Sequence, residues 1–162
     1  MQALARQGAS ITVIARKWDR ADAPGETAPR IVTCDPPHVG RWWRDASFAR
    51  AACEATQREK FDLVQSHERL DCCDVFRAGD GVHRQWLALR ARIQSPVARA
   101  LTAANPYHRY VLDAERRMFE GVRLKAVICN SEMVRADVLR HYRIDAAKLH
   151  VIYNGVDLDR FS

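Results

Sequence analysis

A chain of 162 residues in which 48% are apolar is long enough for one domain with a substantial core. It has neither an apolar run of bilayer-spanning length nor the basic start and apolar stretch of a secretory signal, so the expected location is cytoplasmic. A formal net charge of +6 favours partners that carry phosphate or other anionic groups, without choosing among nucleic acid, phosphorylated ligands and anionic lipid.

Residues 1–8 read as the last turns of a helix stopped by Gly8, and residues 11–15 as a strand. Alanine, glycine and proline mark 17–30 as a surface loop, and a second short strand is expected at 31–33. Trp42-Trp43, flanked by Arg41 and Arg44, form either an exposed aromatic and basic patch for a partner or, as tryptophans more often do, part of the packing. Asp45 is expected to cap a helix running to about residue 60, which delivers the chain to a strand from Asp62. A further strand follows at Val75-Phe76. Residues 85–104 read as helical with an interruption at Pro96, and Asn105-Pro106 restarts a helix that carries Tyr107, Tyr110, Val111, Ala114 and Met118 at spacings of three and four. Gly121 ends it. The apolar run 125–130 predicts a strand buried on both faces, and Ser131 is the expected N-cap of a helix to Tyr142. Asp145 opens a turn, 150–153 is a last strand, and Asn154-Gly155 is a tight turn. The cysteines, five in number and without C-x-x-C spacing, read as reduced structural thiols.

Strands alternating with helices predict an α/β fold, a Rossmann-like parallel sheet with helices on both faces. In such sheets ligands bind beyond the carboxyl ends of the strands, which singles out the stretch from Phe61 to Trp86. There His67-Glu68 follow one apolar run, and Asp80-Gly81 with His83 follow the next. A carboxylate at Asp80 can orient or deprotonate a hydroxyl, and its bland alternative is an Asx turn with the neighbouring glycines. A neutral imidazole at His67 can hydrogen-bond to a ligand hydroxyl or serve the fold, and His83 shares the edge or begins the next helix. Asp74 and Ser131 read as local caps. His67, Asp80 and His83 match no metal-ligand spacing. Neither a G-x-G-x-x-G nor a G-x-x-x-x-G-K-[ST] is present, so no phosphate loop supplies the ligand. Arginines crowd the region from Arg84 to Arg123, either as a solvated helical face or as a surface for an anionic partner.

Leu4-Ala5-x-x-Gly8 with Ile11-Thr-Val-Ile, Asp62-Leu-Val ending at His67, Ala126-Val-Ile-Cys-Asn-Ser131, and Val151-Ile-Tyr-Asn-Gly-Val-Asp157 with Phe161 together resemble the N-terminal domain of family 4 glycosyltransferases. Asp74-Val-Phe-Arg-Ala-Gly-Asp80, followed by Tyr107-His108-x-Tyr110-x-x-x-x-Glu115-Arg116-x-x-Phe119, is similar to the lipopolysaccharide core glucosyltransferase I branch. Ala9 departs from the histidine common after the helix-ending glycine.

The resemblance implies the GT-B architecture, with residues 1–153 as an acceptor-side domain lacking its first strand and 154–162 as the start of an interdomain linker. The C-terminal donor domain is expected to be absent, leaving a fragment truncated at both ends and inactive alone. Implied with it are a retaining, metal-independent reaction without cofactor and a nucleotide-sugar donor, a UDP-sugar, held mainly by that other domain. The implied acceptor is a lipid-linked glycan such as lipopolysaccharide core. Asp80 takes the catalytic position, and His67, Glu68, His83, Arg84 and Tyr107 line the acceptor side. The arginine-rich helices with Trp86, Tyr107 and Tyr110 are expected to hold the protein peripherally on the inner face of the cytoplasmic membrane. No nucleic-acid partner is expected on this reading. The rival is a stand-alone Rossmann-like binding module for nucleic acid or a phosphorylated ligand, because fold alone does not decide function.

Overall fold

The computed structural model describes residues 2–18 and 28–155. It divides into two compact units, Met1–Glu59 and Lys60–Ser162. All strand pairing among the described residues is parallel.

In the first unit, helix α1 (Gln2–Arg6) closes at Gly8, whose φ of 87° is open to glycine at no steric cost. Strands β1 (Thr12–Ala15) and β2 (Arg30–Thr33) pair from Thr12↔Arg30 to Ala15↔Thr33. Most of the expected loop between them, residues 19–27, lies outside the described residues. Helix α2 (Arg41–Arg58) starts earlier than the expected cap at Asp45. Gly40, at φ 75°, turns the chain into the helix, and Asp45 sits inside it with its carboxylate 3.0 Å from Nε of Arg44. The tryptophans expected to pack instead lie in the first turn, each 47% exposed. Arg16, just beyond β1, donates to Asp35 (2.6 Å) and to the Arg44 carbonyl, which ties the strand end to the start of α2.

The second unit is a four-stranded sheet in the order β3 (Gln65–Ser66), β4 (Val75–Ala78), β5 (Ala126–Cys129), β6 (Leu149–Val151). The strand expected from Asp62 is shorter than its apolar run. The Val64 N–H goes to the Asp74 carboxylate (2.9 Å) rather than to a neighbouring strand, and Leu63 is exposed. In β5, Val127 and Cys129 are fully buried while Ala126 and Ile128 are half-buried, so the expectation of two equally covered faces holds for one of them.

The helical stretch expected at 85–104 is two helices, α3 (His83–Ile93) and α4 (Pro96–Ala104), with Ser95 capping the second through the Ala98 N–H (3.3 Å). Asn105 caps α5 (Pro106–Phe119) through the Tyr107 N–H (2.9 Å), and Ser131 caps α6 (Glu132–His141) through the Val134 N–H (3.3 Å). Asp145 caps a single 3-10 turn, Ala146–Lys148. The inward stripe of α5 is Val111, Ala114, Glu115, Met118 and Phe119. Phe119 meets Phe76 of β4 edge-on (5.6 Å) and Tyr142 at 4.8 Å, which seats the helix on the core. Beyond α5, a Cβ at Gly121 would lie 2.5 Å from the Arg117 carbonyl oxygen, so the chain can leave the helix this way only at glycine. Cys34, Cys73 and Cys129 are free thiols, as expected, but Cys53 and Cys72 are disulfide-bonded, which corrects the expectation of five reduced thiols. Burial pushes Cys73 up to about 12 and raises Cys129 as well.

Asp74 does more than cap a turn. It is 5% exposed, accepts from Val64, and pairs with Lys125 (3.1 Å) and Arg123 (3.7 Å). Burial alone would raise its pKa, but the Val64 N–H and the two cations outweigh that and hold it below the ordinary aspartate value. Asp74→Ala strands the Val64 N–H and is expected to lower stability by about 1–3 kcal/mol in urea denaturation at pH 7. The carboxylate's contribution is present above its ordinary value, near 3.9, and fades as pH falls through the depressed native value.

Candidate functional site

Parallel register brings the carboxyl ends of the second unit's strands into line: Ser66 pairs with Phe76, Ala78 with Cys129, and Cys129 with Val151. Four segments therefore share one edge. These are His67-Glu68, Gly79-Asp80, Asn130-Ser131 and the residues from Ile152 to Gly155. The Asn130 side-chain amide donates to the Gly79 carbonyl (2.8 Å), and Arg77 donates to the Asn154 side chain, so the segments are cross-linked by hydrogen bonds. Gly81, at φ 74°, redirects the chain from this edge into α3, a conformation that a side chain would strain.

Helix α3 begins without a cap of its own, because Val82 at the N-cap offers no acceptor. Glu115 of α5 takes that role from across the core. Its carboxylate accepts from the N–H groups of His83 (2.8 Å) and Arg84 (3.3 Å), from Arg69 Nε (3.0 Å) and from the Tyr142 hydroxyl (2.5 Å). A negative charge at the positive end of a helix is favourable. Burial, and then the hydrogen bond to this carboxylate, push the Tyr142 pKa upward.

At the first turn of α3, His83 Nε2 lies 3.0 Å from His108 Nδ1, a distance at which one imidazole donates to the other. The His83 ring stacks on Trp86 (5.4 Å between centroids, 18° between planes) and meets Tyr107 edge-on at 6.3 Å. Arg90 lies over the Trp86 ring at 4.9 Å. Burial lowers the His83 pKa; Glu115 works against this, while Arg69 and His108 reinforce it. His83 is therefore neutral at pH 7 and can either donate or accept.

Of the residues singled out from sequence, His83 and Tyr107 enter one aromatic cluster, half-buried, with Arg84 beside them and exposed. His67, Glu68 and Asp80 stand exposed on the same sheet edge. Among the described residues their side chains make no hydrogen bond or ion pair, so Asp80 does not spend its carboxylate on an Asx turn. The ligand atoms of His67, Asp80 and His83 do not converge on a common point within metal-binding reach. Sequence reasoning passed over Glu115 and His108 as site residues. The signal for the first was present: a glutamate on the apolar stripe of α5, four residues after Val111 and three before Met118, must find partners inside. Nothing in the spacing of His83 and His108 announces their contact.

Parallel strands flanked by helices, with unspent polar groups along the carboxyl edge, define an α/β domain of the class that binds ligands beyond its strand ends. The sequence matches Glycosyltransferase Family 4 over residues 1–160, and the chain belongs to that family. The crystal structure of WaaG, a glycosyltransferase involved in lipopolysaccharide biosynthesis, matches with a TM-score of 0.81 at 17% identity. The likeness shows the GT-B fold expected from sequence. It covers 98% of this chain and 40% of that one, so the chain spans less than half the length of this solved structure. No curated protein sequence matches.

The depressed His83 pKa has a signed consequence. A histidine held neutral in the native state contributes stability above its ordinary value, near 6.5, that is lost as pH falls toward the native one. The urea midpoint is expected to drop between pH 7 and pH 5, and His83→Gln is expected to flatten that dependence.

Proposed function

We propose that this chain forms the acceptor-binding half of a retaining, metal-independent glycosyltransferase. On this reading the enzyme transfers a sugar from a nucleotide sugar, a UDP-sugar, to a lipid-linked glycan such as lipopolysaccharide core. The observation that carries the proposal is the carboxylate of Asp80, exposed and unspent at the strand edge of a family 4 domain. Sugar transfer needs the acceptor hydroxyl placed in line with the anomeric carbon and relieved of its proton as the bond forms. Asp80 orients that hydroxyl or receives its proton. His67, Glu68, His83, Arg84 and Tyr107 bind the hydroxyls and anionic groups of the acceptor around it. The diphosphate of the donor is held mainly by the second domain that the family's two-domain arrangement supplies.

The expected outcome in calorimetry is that the chain binds a deacylated lipopolysaccharide-core oligosaccharide and that Asp80→Asn weakens it about tenfold, as loss of a charge-assisted hydrogen bond does. Equal binding by the variant sinks the assignment of Asp80. Salt-sensitive binding to DNA, with no binding to the oligosaccharide, sinks the transferase reading in favour of a nucleic-acid module.

The arginine-rich region supports a peripheral membrane contact within the same proposal. Arg116, Arg117 and Arg123 are engaged by Asp113, Asp71 and Asp74. Arg84, Arg90, Arg92, Arg99 and Arg109, on α3, α4 and the first turn of α5, form no ion pair among the described residues. The same helices expose Ile93 (89%), Val97 (70%) and Leu101 (69%). Among the described residues no helix is long and apolar enough to cross a membrane. Unpaired cations beside exposed aliphatic side chains suit an anionic leaflet, at about 1 kcal/mol per basic residue close to the surface. Sedimentation with phosphatidylglycerol vesicles is expected, and none with phosphatidylcholine alone. Changing Ile93, Val97 and Leu101 together to serine is expected to reduce it, as is raising the salt. Equal sedimentation with both lipids removes the anionic-leaflet contact, and none with either removes the membrane contact altogether.

A further inference from the structure

We infer that Glu115 is a positioning residue that sets both acceptor-side segments of the sheet edge from one buried point. The inference rests on the acceptor reading above. The two polar clusters that follow β3 and β4 are separate in sequence and make no direct hydrogen bond to each other among the described residues. They meet at this carboxylate. Through Arg69 Nε (3.0 Å) it holds the segment that carries His67 and Glu68. Through the His83 and Arg84 N–H groups (2.8 and 3.3 Å) it holds the start of α3, immediately after Asp80. The Tyr142 hydroxyl (2.5 Å) closes the set from the end of α6. Glu115 is 1% exposed, so it touches no ligand itself and acts through what it holds.

The same carboxylate sets the charge that His83 feels. His83 faces Glu115 and His108 from α5 and Arg69 from the β3–β4 connection. On the side of α6, His141 faces α3 through Gln85 (2.7 Å). Glu115 favours the imidazolium, whereas Arg69 and His108 oppose it. Removing Glu115 or Arg69 therefore moves the His83 titration in opposite directions, yet both changes release the segment after β3, and loss of Glu115 releases the start of α3 as well. A residue that merely filled the core would give neither signature.

The test uses the whole chain, with histidine ring protons followed by NMR and the deacylated lipopolysaccharide-core oligosaccharide as the binding probe. Glu115→Gln keeps the shape and one accepting oxygen but removes the charge; His83 is expected to titrate at lower pH than in the wild type. Arg69→Gln, at a quarter-exposed position, is expected to move it to higher pH. Both are expected to weaken oligosaccharide binding about tenfold, the scale for breaking one side of a buried charge-assisted network. Glu115→Asp, which restores the charge on a shorter stem, is expected to return the His83 titration toward the wild type. If Glu115→Gln does not fold, Arg69→Gln alone decides. Unchanged His83 titration in the folded variants, or wild-type affinity alongside shifted titration, overturns the inference. If the opposed shifts appear but the wild-type chain does not bind the oligosaccharide, the acceptor reading fails and the anchoring by Glu115 stands.

Discussion

A carboxylate sealed inside a small domain must be fully occupied, and much of the second unit is arranged to occupy that of Glu115. Removing an ion from water costs several kcal/mol even after relaxation, and a single counter-ion seldom offsets it. Here the offset comes from donors of different kinds: a guanidinium, a phenol and two peptide N–H groups at the positive end of a helix. Such a network contributes geometry more than net stability. Each donor has one place from which it can reach the oxygen, so α3, α6 and the connection after β3 are held relative to α5 as well as packed against it.

The charges of this unit sort by what they are already doing. Asp74 and Glu115 are buried and fully engaged, each crossing between elements that the sheet and helices leave apart. Asp80 lies at the mouth of the same edge and is engaged by nothing among the described residues. This separation is what allows a polar edge to serve a ligand. The structural carboxylates are out of reach, and the reachable ones, Asp80 and Glu68, are not needed by the fold. Asn130, bonded to the Gly79 carbonyl, keeps the turn before Asp80 in place without touching the carboxylate itself.

Much of this was legible from residue order, where the responsible physics is local. Ser131 caps the helix it was expected to cap, and Asn105 and Asp145 cap the helix and the turn they were expected to open, because a short polar side chain beside free N–H groups needs no distant partner. The strands at Val75 and Ala126 and the break at Pro96 were readable on the same grounds. The departures arise where a distant group intervenes. Asp74 takes the Val64 N–H and shortens β3, and a left-handed glycine at position 40 starts α2 before the side chain that looked like its cap. The edge segments carrying His67, Asp80 and His83 could be read from the alternation of apolar runs and polar ends. The pairing of His83 with His108, and of both edge segments with Glu115, could not, since the partners lie 25 or more residues apart and belong to different helices or loops.

The buried thiols carry a practical meaning. Alkylating reagents attack the thiolate, and Cys73 and Cys129 are shielded from it twice, by lack of access and by the raised pKa that keeps the sulfur protonated. Cys34 is only partly covered. At neutral pH a maleimide therefore distinguishes the halves of the chain. Modification at Cys34 proceeds with the protein intact, whereas modification at Cys73 or Cys129 records an opening of the second sheet, so the rate at those two sulfurs clocks how often that core comes apart.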